Sequence, residues 1–278
     1  MPYIENERAR LYWTEKGSGP PVLLIMGLSF THEMWFRTLP ALVGYRAILF
    51  DNRGMGRSSI PSGPYSIRQM ARDAQAVLRA AGVNSAHILG ASMGGMIAQE
   101  LALLYPESVH SLVLACTSFS GMFGKWPDFR RTPRWSPWTK VTSEEREYSL
   151  RHLLHADSAP MDRIEEDIRI RLACNRSQKG FFYQFAGILM WNAYTRLPKI
   201  NAPTLVIHGD QDRLIPPVNG RIVAERIPGA RFELVHDAGH ILTTDQPELC
   251  QNLLMQFLAE QAASGPSDCL SNFAEESL

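Results

Sequence analysis

The sequence predicts an α/β protein built on a mostly parallel, doubly wound sheet with an inserted helical segment. Three observations carry this: short dense apolar runs recur along the chain, helical periodicity separates them, and the alternation stops over one long interval. The runs are Val22–Met26, Arg46–Phe50, Ala86–Leu89, Ser111–Ala115, Thr204–Ile207 and Arg231–Val235. None alternates strictly between apolar and polar, as expected of strands covered on both faces.

The individual elements follow in order. Before Gly17-Ser18-Gly19-Pro20 the chain alternates and is punctuated by turns, which predicts exposed antiparallel edge strands. Ile67, Met70, Ala71, Ala74, Val77, Leu78 and Ala81 repeat at helical spacing. Ser66 with Gln69 forms a capping box at the start of that helix, and Gly82 supplies its stop. Met96, Ile97, Leu101 and Leu104 mark a second helix, ended by Pro106. Between residues 121 and 199 the strands stop. Trp126, Pro127, Pro133, Trp135, Pro137 and Trp138 crowd the first part. Three helical patterns follow: one capped by Thr142 and Glu145 and carrying Leu150, Leu153 and Leu154, one marked by Ile164 and Ile168, and one by Phe181, Phe182, Phe185, Ile188 and Leu189. An all-helical insertion between two strands of a parallel sheet reads as a cap. The expected organisation is therefore a core of residues 1–120 and 200–262, a cap of residues 121–199, and a loose tail of residues 263–278 opened by Ser264-Gly265-Pro266-Ser267-Asp268.

Composition narrows the function classes. The 278 residues are 45% apolar and 20% charged, with 28 basic and 28 acidic side chains. A neutral chain offers no electrostatic reason to bind nucleic acid or an anionic membrane. No apolar run approaches the ~20 residues of a membrane helix, and the first residues carry no apolar signal core, so the expected location is cytoplasmic. Cys116, Cys174, Cys250 and Cys269 lack metal-ligand spacing and predict neither a zinc site nor a disulfide frame. No internal repeat indicates a solenoid.

Gly90-Ala91-Ser92-Met93-Gly94 has the form G-x-S-x-G, and it joins a predicted strand to a predicted helix. In such a strand–turn–helix the serine occupies a strained turn with its hydroxyl exposed above the sheet. Ser92 is the candidate nucleophile. A serine hydroxyl needs a base; His240 is the candidate, in a glycine loop just after the Arg231–Val235 run, at the sheet edge where such folds bind ligands. His87 and His208 read as strand residues, His32 and His236 as structural or loop residues, and His110, His152 and His155 as surface or cap residues. Asp210 and Asp212 both follow the strand ending at Ile207 and are both placed to serve as the acid.

These segments resemble the α/β-hydrolase superfamily, from about Tyr12 to Leu258. Besides the serine pentapeptide, Asp51-Asn52-Arg53-Gly54-Met55-Gly56-Arg57-Ser58 resembles the family's D-x-R-G-x-G-x-S turn. Gly209-Asp210-Gln211-Asp212 resembles its acid-bearing turn, and Ala238-Gly239-His240 its base-bearing loop. The order Ser, Asp, His is the one that fold uses. The resemblance implies Asp212 as the acid, with Asp210 as a turn-former. It further implies an oxyanion hole from the backbone amides of Met93 and Leu28, the latter in the loop after the first parallel strand. There many relatives read His-Gly-x and this chain reads Met26-Gly27-Leu28, a variant similar to carboxylesterases and polyketide methylesterases.

The expected activity is cleavage of a small carboxylic ester through an acyl-enzyme on Ser92, needing neither metal nor organic cofactor. Dehalogenases and epoxide hydrolases of this fold use an aspartate nucleophile, which Ser92 disfavours. Cofactor-free perhydrolases or haloperoxidases and carbon–carbon bond hydrolases keep the same triad and are the alternatives, followed by a hydrolase-like ligand receptor. The aromatic cap residues Trp126, Trp135, Trp138, Phe181, Phe182, Phe185 and Trp191 point to an apolar acyl or alcohol group, although packing the cap is the commoner role of each.

Overall fold

The computed structural model describes residues 2–125, 151–175 and 177–263. The Trp/Pro-rich stretch from Trp126 to Trp138, the Thr142–Glu145 cap with Leu150, and the tail from Ser264, Cys269 included, lie outside the described residues.

The six apolar runs all become strands. Two edge strands come first, β1 (Tyr3–Asn6) and β2 (Ala9–Lys16), followed by β3 (Pro21–Ile25), β4 (Arg46–Phe50), β5 (Ala86–Ala91), β6 (Val109–Ala115), β7 (Thr204–Gly209) and β8 (Arg231–Val235). They form a sheet in the order β1-β2-β4-β3-β5-β6-β7-β8. β1 and β2, and β2 and β4, pair antiparallel; every other neighbouring pair is parallel. This is the predicted α/β-hydrolase arrangement, with antiparallel strands confined to one edge.

Both faces of the parallel strands β3 to β7 are buried, which explains the lack of alternation there, while the edge strand β8 is only partly buried. Leu23, Ile25, Ile88, Leu112, Leu114 and Val206 join one core. Helices α1 (Ile67–Ala80) and α2 (Met93–Leu104) cover it. Val22, Leu24, Leu89, Val113, Leu205 and Ile207 point into a second core on the other face. It is closed by the 3₁₀ segment His32–Arg37 and by α7 (Pro247–Ala263), to which Cys250, Leu254 and Phe257 belong. Between these lie α3 (Met161–Ala173), α4 (Gln178–Met190), α5 (Val218–Arg226) and the single turn α6 (Leu242–Asp245). Among the described residues no helix is long and apolar enough to cross a membrane.

Local signals mostly act as read. The Ser66 hydroxyl accepts the Gln69 N–H at 3.0 Å. Only half the capping box forms: the Gln69 side-chain oxygen takes no bond from the Ser66 N–H, and its amide nitrogen donates to the Glu7 carboxylate at 3.1 Å. Gly82 ends α1 at φ +69°. Among its described residues the inserted segment contributes α3 and α4, and Asn192 makes an isolated β-bridge to Ser120. The Gln184 amide of α4 donates to the Arg53 carbonyl at 2.9 Å. Trp191 is buried and donates to Glu100 at 2.8 Å, so it is a packing joint.

His87, on β5, keeps 2.8 Å between Nδ1 and the Ser111 hydroxyl. Burial foremost, and the neighbouring His110 ring second, pull its imidazole down from 6.5 to about 4. Between those two values the unfolded chain binds a proton that the folded chain refuses, so stability falls as the solution is acidified through that window. His87→Gln, which preserves a partner for Ser111, should flatten this fall. Urea midpoints at pH 7 and pH 4.5 measure it; equal losses in both proteins would remove His87 as the cause.

Candidate active site

β5 ends at Ala91 and α2 begins at Met93, so Ser92 alone makes the turn between them. Its backbone lies at φ 56°, ψ −120°, a conformation costing an L-residue about 1–3 kcal/mol. Neighbouring strands hold it there. The Ser92 amide donates to the Ala115 carbonyl at 2.8 Å, and the Thr117 hydroxyl donates to the Ser92 carbonyl at 2.7 Å. The flanking glycines are required by close approach: a Cβ on Gly94 would stand 2.0 Å from the Ile25 oxygen, and one on Gly90 2.4 Å from the Gly94 oxygen.

His240 reaches this turn from a loop 148 residues later. Its Nε2 lies 3.0 Å from Ser92 Oγ, and its Nδ1 lies 2.8 Å from Asp212 Oδ2. With Nδ1–H given to the carboxylate, Nε2 is left as an acceptor facing the hydroxyl. The loop is held by the turn after β7, where the Gln211 amide donates to the Ala238 carbonyl at 2.9 Å. It is held also by Asp245 of α6, whose Oδ2 accepts the Gly239 amide at 2.7 Å.

Asp212 is buried and saturated with donors. Oδ1 accepts the amides of Leu214 and Ile215 at 3.0 and 2.8 Å, while Oδ2 faces His240 and, at 3.2 Å, His208 Nε2, whose N–H also donates to the Ile215 carbonyl at 2.8 Å. Burial alone would raise its pKa; His240 and the hydrogen bond from His208 overcome this and hold the carboxyl well below the ordinary carboxylate value. Asp210 plays a different part. Its carboxylate takes the exposed His236 at 3.0 Å and the Ala238 amide at 3.4 Å, supporting the turn.

The sequence reading placed His208 in a strand, where it is, but missed its contact with the acid. A polar imidazole in a fully buried strand, four residues before an acid, was the available signal. His155, read as a surface or cap residue, is buried and sits 2.8 Å from Asp245. Also unread were Phe30, Met34 and Trp35 and the helical repeat Cys250, Leu254, Phe257. The former, with Cys250 and Leu254, line an apolar cavity that opens at Ser92 and His240. The cap aromatics Phe181, Phe182, Phe185 and Trp191 do not line it.

Leu28 lies in a turn closed by the Phe30 amide on the Gly27 carbonyl at 3.3 Å. A Cβ on Gly27 would stand 3.0 Å from Ser92 Cβ, so this loop runs against the serine turn. Met93 is the first residue of α2, where amides have no acceptor in a preceding helical turn.

Cys116, Asp212 and His240 bring a sulfur, an oxygen and a nitrogen within 4.8 Å of one another. They make a poor metal centre: burial first, then Asp212, pushes the Cys116 thiol up, and both carboxylate oxygens are engaged. His32, Glu33 and Asp51 form a second such group. There Asp51 instead organises its own turn, accepting the amides of His32 and Arg57, each at 2.9 Å.

A strained serine at a strand–helix turn, backed by histidine and a buried aspartate at the rim of a parallel sheet, defines a hydrolase. The sequence profile of the alpha/beta hydrolase fold matches residues 20–140 and 162–247, and the chain belongs to that family. It is 30% identical to a carbamate hydrolase candidate of Azorhizobium caulinodans, covering 94% of this chain and 99% of that one. It is 29% identical to a poly(3-hydroxyalkanoate) depolymerase of Ectopseudomonas oleovorans, over 87% of this chain and 85% of that one. Among solved structures, Est816, an N-acyl homoserine lactone degrading enzyme, superposes with a TM-score of 0.79 at 29% identity, over 92% of this chain and 100% of that one.

Proposed function

We propose that the protein is a serine esterase in which Ser92, His240 and Asp212 form the catalytic triad. The hydrogen-bonded chain from Ser92 Oγ through the imidazole to the buried carboxylate carries this reading. His240 Nε2 takes the Ser92 proton as Oγ attacks the ester carbonyl, and Asp212 stabilises the imidazolium. The backbone amides of Met93 and Leu28 receive the tetrahedral oxyanion. His240 then protonates the departing alcohol, and a water, deprotonated by the same nitrogen, releases the acid from Ser92. No step calls for a metal or an organic cofactor.

Residues 121–199 act as the cap over this site. The joints already described support that role: Gln184 on the Arg53 carbonyl, and His155 on Asp245 beside the His240 loop. The relatives named for a polyester and a lactone support acyl-oxygen cleavage, and the Met26-Gly27-Leu28 loop supports the carboxylesterase-like subgroup. The substrate is a small, apolar ester; the apolar walls beside Ser92 support this better than the cap aromatics do.

Ser92→Ala should lower kcat on p-nitrophenyl acetate by about 10³–10⁶-fold, and Asp212→Asn by about 10⁴-fold through the wrong imidazole tautomer. Wild-type turnover by either variant would reject the assignment. Activity should fall on acidification, because only neutral His240 accepts the proton. A flat profile from pH 5 to 9 would exclude His240 as the base. Product formation that requires hydrogen peroxide would instead identify a perhydrolase.

A further inference from the structure

The cavity at Ser92 and His240 extends where the proposed mechanism makes no use of it. It descends the sheet face opposite α1 and α2, into the second core. Leu89, Val113 and Ala115 form its floor, and Met34, Trp35 and Leu254 form its outer wall. All six are buried. Leu89 pairs in register with Val113, and Ala91 with Ala115. Leu89 and Val113 therefore lie two residues, about 7 Å, below Ala91, the neighbour of the nucleophile.

We infer that this recess is the acyl subsite, and that the preferred substrate is an ester of a linear alkanoic acid; this rests on the esterase reading above. A group entering the recess leaves water among aliphatic and aromatic walls, so a polar group there would lose its hydrogen bonds without replacement. The acyl chain is the part that belongs there. It stays bonded to Ser92 until water attacks, whereas the alcohol must leave first, and apolar burial that held the alcohol would slow that departure. The chain should end in methyl. Arg37 also borders the recess; its Nη2 donates to Glu166 at 2.6 Å, to the Arg163 carbonyl at 3.1 Å and to Asp167 at 3.3 Å, while its buried Nε has no hydrogen-bond partner among the described residues. A terminal carboxylate would join two negative charges facing one cation.

The test uses p-nitrophenyl esters from acetate to laurate on the full chain. Each methylene buried should raise kcat/KM about fourfold, equivalent to ~0.8 kcal/mol, until the recess is full, after which the gain should stop. Leu254→Phe should shorten the recess and lower the octanoate-to-acetate ratio by about tenfold or more; Leu254→Ala should move the optimum to longer chains. Ratios within each variant do not depend on the folded fraction. Linear alkylboronic acids, tested as inhibitors of the wild-type protein, should tighten with the same chain-length limit and need no variant. A flat boronate series, unchanged ratios in both variants, or a preference for half-esters bearing a terminal carboxylate overturns the acyl subsite while leaving the esterase reading intact. Failure of the folded wild-type protein to cleave any ester of the series overturns that reading, and this inference with it.

Discussion

An ionised carboxylate taken out of water must be surrounded by donors, and Asp212 is the group on which this site depends. Its four neighbours come from three places. The amides of Leu214 and Ile215 belong to its own turn, while the imidazoles of His208 and His240 approach from β7 and from a loop beyond β8. Together they keep the carboxyl ionised despite its burial. The orientation of His240 follows, since Nδ1 must donate to that oxygen, and with it the free Nε2 that faces Ser92.

The inserted helical segment takes part in this arrangement. The Ile241 amide donates to the Leu154 carbonyl at 2.9 Å, and Asp245 collects His155, the Ala156 amide and the Gly239 amide. A Cβ on Gly239 would stand 2.6 Å from the His155 carbonyl carbon, so the histidine loop and the insertion are packed backbone to backbone. Residues 154–156 of the insertion thus also fix the loop bearing the imidazole.

Much of the fold was legible because parallel strands are covered on both faces and advertise themselves as dense apolar runs. β4 and β8 coincide with their runs. β5 and β6 extend past theirs, at the C-terminal and N-terminal ends respectively, because backbone pairing does not stop where apolar side chains do. The serine turn was legible for a steric reason: only glycine fits beside it at positions 90 and 94. The recess was not. Its walls come from β5, β6, the segment after β3 and the last helix, and each contributes residues that look like ordinary core when read alone.

By itself the sequence determined the layered α/β architecture, the strand–turn–helix around Ser92 and a short set of acids and bases able to serve it. Those depend on local periodicity and local sterics, which a linear chain carries in full. Only the tertiary structure placed Asp212 against the imidazole and Asp210 in the turn, an assignment that the residues alone left open and the family resemblance implied, set His208 Nε2 between the acid and the Ile215 carbonyl, and gathered an apolar recess beside the nucleophile. Each of those depends on distances between side chains far apart in the chain, and such distances exist only once both faces of the sheet are packed.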